Sequence, residues 1–127
     1  MSGARKTVLI IEDDEALVRS LSLGLQDKFQ VLTALNAHDG LAKAKSEATK
    51  NKPDLILLDI NLPDINGIEV LEILKKTEQT ADIPVIVLTN LSDQETVSQI
   101  LQAGGKEYLI KSDWTIADIG KKIEETI

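Results

Sequence analysis

Five residues scattered over the chain carry the side chains that phosphoryl or metal chemistry needs: Glu12, Asp13, Asp59, Thr89 and Lys111. They stand at the ends of short apolar runs. Thr7-Val8-Leu9-Ile10-Ile11 stops at Glu12-Asp13, Leu55-Ile56-Leu57-Leu58 at Asp59, Val85-Ile86-Val87-Leu88 at Thr89, and Glu107-Tyr108-Leu109-Ile110 at Lys111. Clustered carboxylates repel one another and raise each other's pKa unless a cation intervenes. Hard oxygen ligands on few side chains suit Mg²⁺, which keeps several waters and bridges carboxylate and phosphate. A carboxylate can act as nucleophile and form an acyl phosphate. An ammonium and a divalent cation then neutralise the transferred group, and positioning does most of the rest. The Thr89 hydroxyl can donate to a phosphoryl oxygen. No strong base is required, which fits a chain whose single histidine, His38, sits away from these positions among polar neighbours.

For these residues to meet, the runs that carry them must lie side by side and point the same way. The apolar runs are too short for helices, and the first, third and fourth read as strands buried on both faces. Gln30-Val31-Leu32-Thr33-Ala34 is a weaker strand, and Glu107 to Ile110 is the fifth. Between them come helical patterns. Leu17, Val18, Leu21 and Leu25 mark a first helix over 15–27, with Asp13 or Asp14 as cap. A lysine- and alanine-rich second helix is expected over 39–49, broken at Asn51-Lys52-Pro53. Ile68, Leu71 and Leu74 mark a third. Val97, Ile100 and Leu101 mark a fourth, capped by Ser92 or Asp93 and closed by Gly104-Gly105. Ile116, Ile119, Ile123 and Ile127 stripe a last. Strand and helix alternate throughout, which predicts a parallel sheet with helices on both faces and right-handed crossovers. All strand ends then share one edge.

The chain of 127 residues is long enough for one domain with a real core, and its 43% hydrophobic content is ordinary for a globular protein. With 14 basic and 21 acidic residues the net charge is −7, which argues against nucleic-acid binding by bulk electrostatics. There is no cysteine, so neither a disulfide framework nor thiol chemistry, a composition compatible with a reducing cytosol. No apolar stretch approaches the ~20 residues of a membrane span. Residues 1–6 read as a flexible polar leader, without the hydrophobic segment of a signal peptide. Residues 7–127 read as the domain.

Taken in order, Ile11-Glu12-Asp13-Asp14, Asp59 followed by Pro63 and Gly67, Leu88-Thr89, and Tyr108-Leu109-Ile110-Lys111 resemble the receiver domain of two-component response regulators, in particular the single-domain chemotaxis regulators. The resemblance spans essentially the whole chain. It implies a flavodoxin-like α/β fold: a doubly wound, five-stranded parallel sheet in the order 2-1-3-4-5, with five helices. It implies that Asp59 takes a phosphoryl group from a histidine kinase or a histidine phosphotransfer protein. Glu12, Asp13, Asp59 and the backbone carbonyl of Asn61 would hold Mg²⁺. Lys111 would pair with Asp59 or its phosphate. Thr89 and Tyr108 would be the switch, read out through residues 93–127. A cytoplasmic protein, monomeric or dimeric on phosphorylation, acting on protein partners and not at a membrane, completes that expectation. One position departs from the family pattern: Ser112 stands where a proline usually follows the lysine, so the Lys111–Ser112 bond is either cis or trans with a rebuilt loop over 112–114.

Two other readings keep Asp59 in play. One is a phosphatase of the haloacid-dehalogenase kind, which also places a nucleophilic aspartate at a strand end. Such enzymes carry a second aspartate two residues on, where this chain has Asn61. The other is a phosphate-independent pseudo-receiver that only docks partners, against which the intact acidic and basic set speaks. Simpler roles suit the remaining polar residues. Asp14 reads as a helix cap, Asp64 as a loop residue, His38 as solvated or capping, and Trp114 as a packing anchor for the last helix. Lys43, Lys45, Lys50 and Lys52 read as a solvated face.

Overall fold

The computed structural model describes residues 5–45, 52–90 and 94–127. Five parallel strands form one sheet in the order β2-β1-β3-β4-β5. They are β1 (Thr7–Ile11), β2 (Gln30–Ala34), β3 (Leu55–Asp59), β4 (Val85–Thr89) and β5 (Glu107–Ile110). The helices between them are α1 (Glu15–Leu25), α2 (Ala37–Ala44), α3 (Gly67–Lys76), α4 (Gln94–Gln102) and α5 (Ile116–Thr126). The expected topology and all five strands are present.

The three central strands are buried at every position, while the edge strands β2 and β5 are only partly covered. That is why β1, β3 and β4 are unbroken apolar runs and β2 tolerates Gln30 and Thr33. Alternate side chains divide the core in two. Leu9, Ile11, Ile56, Leu58, Val85 and Val87 pack with Val70, Leu71, Leu74 and Ile100 of α3 and α4. Val8, Ile10, Leu55, Leu57, Ile86, Leu88 and Leu109 pack with Leu21, Leu25, Ile119 and Ile123 of α1 and α5. Trp114 and Ile116 border this second cluster, the anchoring role the sequence predicts for Trp114.

Several helix ends follow from single residues. Asp14 caps α1, its Oδ1 accepting from the N–H groups of Ala16 and Leu17 at 3.1 and 3.2 Å, which leaves Asp13 uncommitted. Asn66 caps α3 through Ile68 N–H at 2.7 Å. Gly67 N–H donates to Ile60 O at 2.7 Å, and a Cβ at Gly67 would lie 2.5 Å from Asp59 O. Only glycine lets the chain fold back this tightly on the end of β3. At the far end of α4, Gly104 takes a φ of 102° and closes the helix with Gly105, as expected. The expected cap at Ser92 or Asp93 lies outside the described residues.

The second helix differs from its expectation. It starts at Ala37 rather than Asp39: Asn36 caps it through Asp39 N–H at 2.8 Å, and Asp64 takes the N–H groups of Ala37 and His38. The predicted end, residues 46–49, lies outside the described residues, as does Lys50. Lys43 is not merely solvated: it donates to Thr33 O of β2 and lies 3.3 Å from Asp39. Of the predicted leader, residues 1–4 lie outside the described part; Arg5 donates to Gln26 O, and Lys6 O accepts from Gln30 N–H at 2.8 Å. No helix among the described residues is long and apolar enough to cross a membrane.

Candidate functional site

Parallel pairing brings the strand ends to one edge. Ile11 lies opposite Leu58 and Asp59 opposite Leu88, so Glu12, Asp59 and Thr89 follow one another across β1, β3 and β4. Lys111 arrives from β5, the strand next to β4. A carboxylate oxygen from each of Glu12, Asp13 and Asp59 lies within 4.8 Å of the others. Glu12 and Asp59 are almost wholly enclosed, while Asp13 is exposed at the rim.

Lys111 Nζ stands 2.8 Å from Glu12 Oε1 and 3.4 Å from Asp59 Oδ1. The lysine therefore bridges the two buried carboxylates, closer to Glu12. Its Nζ is a contact partner of Glu12 Oε1 but not an aligned donor, so that buried oxygen lacks a hydrogen bond. The other oxygen, Oε2, accepts from Asp14 N–H at 3.1 Å. Burial pushes the Glu12 carboxyl up to about 7 and the Asp59 charge adds to this, against the pull of Lys111 and the Asp14 N–H. Burial alone would depress the Lys111 ammonium, but its contacts with Glu12 and Asp59 outweigh that and raise it.

An enclosed carboxylate oxygen held only by the Lys111 ion pair, beside two further carboxylates and open on the Asp13 side, is a donor set that fits a hard divalent cation. A cation there would replace the proton that burial encourages on Glu12.

Around this cluster sit the other predicted residues. Thr89 ends β4 and is buried. Tyr108 lies opposite Val87 and Thr89 opposite Ile110, so Thr89 and Tyr108 share one sheet face on neighbouring strands. The Tyr108 ring is half-buried against the core below α3 and α4. Asn61 is exposed in the loop after Asp59. The Lys111–Ser112 peptide is trans, and the chain turns through a 3₁₀ segment, Lys111–Asp113, to Trp114. The loop is thus rebuilt in the way a non-proline residue favours, and Lys111 still reaches the carboxylates.

Asp64 is a loop residue, as the sequence suggests, but it has a further role that the sequence does not show. It accepts from Ala37 N–H at 2.8 Å, from His38 N–H at 2.9 Å, and lies 2.8 Å from His38 Nδ1. It therefore caps α2 from the β3–α3 loop. Desolvation acts upward on its carboxyl, but the hydrogen bonds from Ala37 and His38 prevail and hold it well below the usual carboxylate range. His38, as the pairing partner, is highly exposed.

The model of the response regulator receiver domain matches residues 8–124, and the chain belongs to that family. The transcriptional regulatory protein PrrA of Mycobacterium tuberculosis is 40% identical over 105 residues, which is 82% of this chain and 42% of that protein. The chain thus spans less than half the length of this curated relative. A CheY-like response regulator receiver domain protein from Methanospirillum hungatei superposes with a TM-score of 0.86 at 32% identity, covering 97% of this chain and 94% of that one. The phosphorylated cyanobacterial phytochrome response regulator RcpA gives a TM-score of 0.85 at 30% identity, covering 96% and 93%. The family match sets the phosphatase reading aside in favour of a receiver domain of two-component signalling, a signalling domain rather than a metabolic enzyme.

Proposed function

We propose that Asp59 is the phosphoacceptor of this receiver and that Mg²⁺ is its cofactor. The observation that carries the reading is the Glu12–Asp13–Asp59 cluster with Lys111 bridging two of its members. The donor is a histidine kinase or histidine phosphotransfer protein. An Asp59 carboxylate oxygen attacks phosphorus, the P–N bond breaks, its electron pair returns to the donor imidazole, and an acyl phosphate remains. Glu12, Asp13, Asp59 and the Asn61 carbonyl would hold Mg²⁺, which would supply charge neutralisation for the incoming phosphoryl group. Lys111 moves its pairing from Glu12 and the free carboxylate to the phosphate. Thr89 donates to a phosphoryl oxygen. Hydrolysis by water later restores the carboxylate, so the domain promotes its own phosphorylation and dephosphorylation.

Signalling follows from a shift between two arrangements that contact the phosphate differently. Thr89 and Tyr108 share a sheet face, so a displacement of Thr89 opens space that Tyr108 fills. The readout is the surface of residues 93–127. Leu101 is exposed there, and Lys122 joins α5 to β5 through Glu107 at 3.0 Å and lies 5.8 Å from the Trp114 ring. The output is a protein contact made in the cytoplasm, by a monomer or by a dimer formed on phosphorylation. The net charge of −7 supports protein rather than nucleic-acid partners for this domain.

Trp114 is the single tryptophan and lies three residues past Lys111, which makes its emission a test. Adding Mg²⁺ and then beryllofluoride should change the emission in two saturable steps. A wild-type protein that responds to neither, while Asp59→Asn behaves identically, would support the phosphate-independent docking module instead.

A further inference from the structure

We propose that Asp64 is a positioning residue for the metal-holding loop, working through a clasp on α2. The inference rests on the metal-dependent reading of the site and adds to it a residue outside the acidic cluster.

The argument begins with a continuous path of short contacts. Glu12 N–H donates to Ala34 O at 3.0 Å, which ties the end of β1 to the end of β2. Two residues, Leu35 and Asn36, lead from there to α2, which packs against β1 and β2. The first two N–H groups of α2 are taken by Asp64 rather than by any residue of the preceding loop. From Asp64 the chain runs back through Pro63, Leu62, Asn61 and Ile60 to Asp59. The path therefore closes a ring that begins at Glu12 and ends at Asp59. Lys111 bridges the same two residues from the direction of β5.

Within that ring Ile60 is buried in the core and Leu62 and Ile65 rest against it, so the loop's apolar side chains are anchored inward. Ile60, the residue after β3, accepts through its carbonyl from Leu62 N–H at 3.2 Å and from Gly67 N–H at 2.7 Å, which draws the start of α3 back to the end of that strand. Asn66 is engaged with α3. Asn61 itself is exposed. The charged side chain that ties the middle of the loop to α2 by hydrogen bonds is that of Asp64. Its carboxylate stays ionised at neutral pH, and a negative charge is favoured at a helix N-terminus.

A plain capping role makes a different forecast, and Asn36 separates the two. Asn36 caps the same helix through Asp39 N–H, a bond that stays within the first turn of α2. If Asp64 serves only α2, Asp64→Ala and Asn36→Ala should act alike. If it positions the loop, they should not.

The test compares wild type, Asp64→Ala, Asp64→Asn and Asn36→Ala in the full chain. Mg²⁺ binding is titrated by Trp114 emission, and amide exchange at Leu62 and Gly67 is followed without metal. The expected result is about tenfold weaker Mg²⁺ binding in Asp64→Ala, the scale typical of lost outer support for a metal ligand. Asp64→Asn, which keeps one acceptor oxygen, should fall between. Exchange at Leu62 and Gly67 should quicken in Asp64→Ala and stay at the wild-type rate in Asn36→Ala. Wild-type exchange in Asp64→Ala, or equal effects of Asp64→Ala and Asn36→Ala on both readouts, would overturn the proposal. A wild type that binds no Mg²⁺ would contradict the metal reading instead, and the exchange comparison would still decide whether Asp64 holds the loop.

Discussion

The two edges of the sheet carry similar side chains and use them differently. At the amino edge, Asp54 accepts from Thr7 N–H at 2.7 Å, and Lys75 donates to Ile83 O at 2.7 Å and Ala81 O at 3.3 Å. Thr80, wholly buried, donates to Leu74 O at 2.6 Å. Each polar group there ends on backbone. At the carboxyl edge, Glu12, Asp59 and Lys111 face one another, and Glu12 Oε1 has no aligned donor. A charge held by backbone completes the fold and has nothing left to offer a ligand. Charges that face each other keep coordination capacity at the expense of stability.

That contrast can be broken from either side. The largest effect is expected from Asp59→Asn. Phosphoryl uptake from acetyl phosphate should fall by at least ~10³-fold, as for loss of a nucleophile, while the metal-free protein melts higher because one of three crowded charges is gone. Calorimetry alongside the labelling assay checks both. Lys111→Met comes next. It leaves Glu12 and Asp59 without their shared cation, and the metal-free protein should lose about 3 kcal/mol in a urea titration. Added Mg²⁺ should recover part of that loss, because it neutralises the same carboxylates.

At the amino edge the pattern should invert. Asp54→Ala should lower stability by about 1–2 kcal/mol through the orphaned Thr7 N–H, yet leave Mg²⁺ affinity and labelling at wild-type values. A parallel loss of Mg²⁺ binding would erase the distinction between the edges.

The smallest effect is a pH dependence. The Glu12 carboxyl is raised from 4.5 to about 7, so the folded chain holds this proton more tightly than the unfolded chain. Its contribution to metal-free stability is full below the unfolded value and is lost as pH rises through about 7. Metal competes with the same proton, so Mg²⁺ affinity should climb with pH up to about 7 and level off above it. Mg²⁺ titrations across that range, with Glu12→Gln as the flat control, check the sign.

Much of this was legible because parallel strands translate chain position into space. Continuous apolar runs marked β1, β3 and β4, and their last residues had to share an edge. The convergence of Glu12, Asp13, Asp59 and Lys111 follows from that alone. What escaped depended on contacts between distant loops. Asp64 after Pro63 looks like any turn aspartate, and nothing in its spacing points to an N–H pair 26 or 27 residues earlier. The early start of α2 escaped because Ala37 and His38 find their acceptor on Asp64. The trans Lys111–Ser112 bond could not be read either, since it reflects how the loop to Trp114 packs. The closer approach of Lys111 to Glu12 than to Asp59 is a matter of fractions of an ångström, which no motif encodes.

The central claim is that the carboxylate at the end of β3 takes the phosphoryl group, in a pocket that needs a divalent cation. Intact-mass analysis after incubation with acetyl phosphate tests it most directly, with and without Mg²⁺, on wild type and Asp59→Asn. The account predicts one phosphoryl group per wild-type chain in the presence of Mg²⁺, with none after chelation and none on Asp59→Asn. Labelling of Asp59→Asn at the wild-type level, or a wild-type label that maps to another residue such as His38, would contradict it.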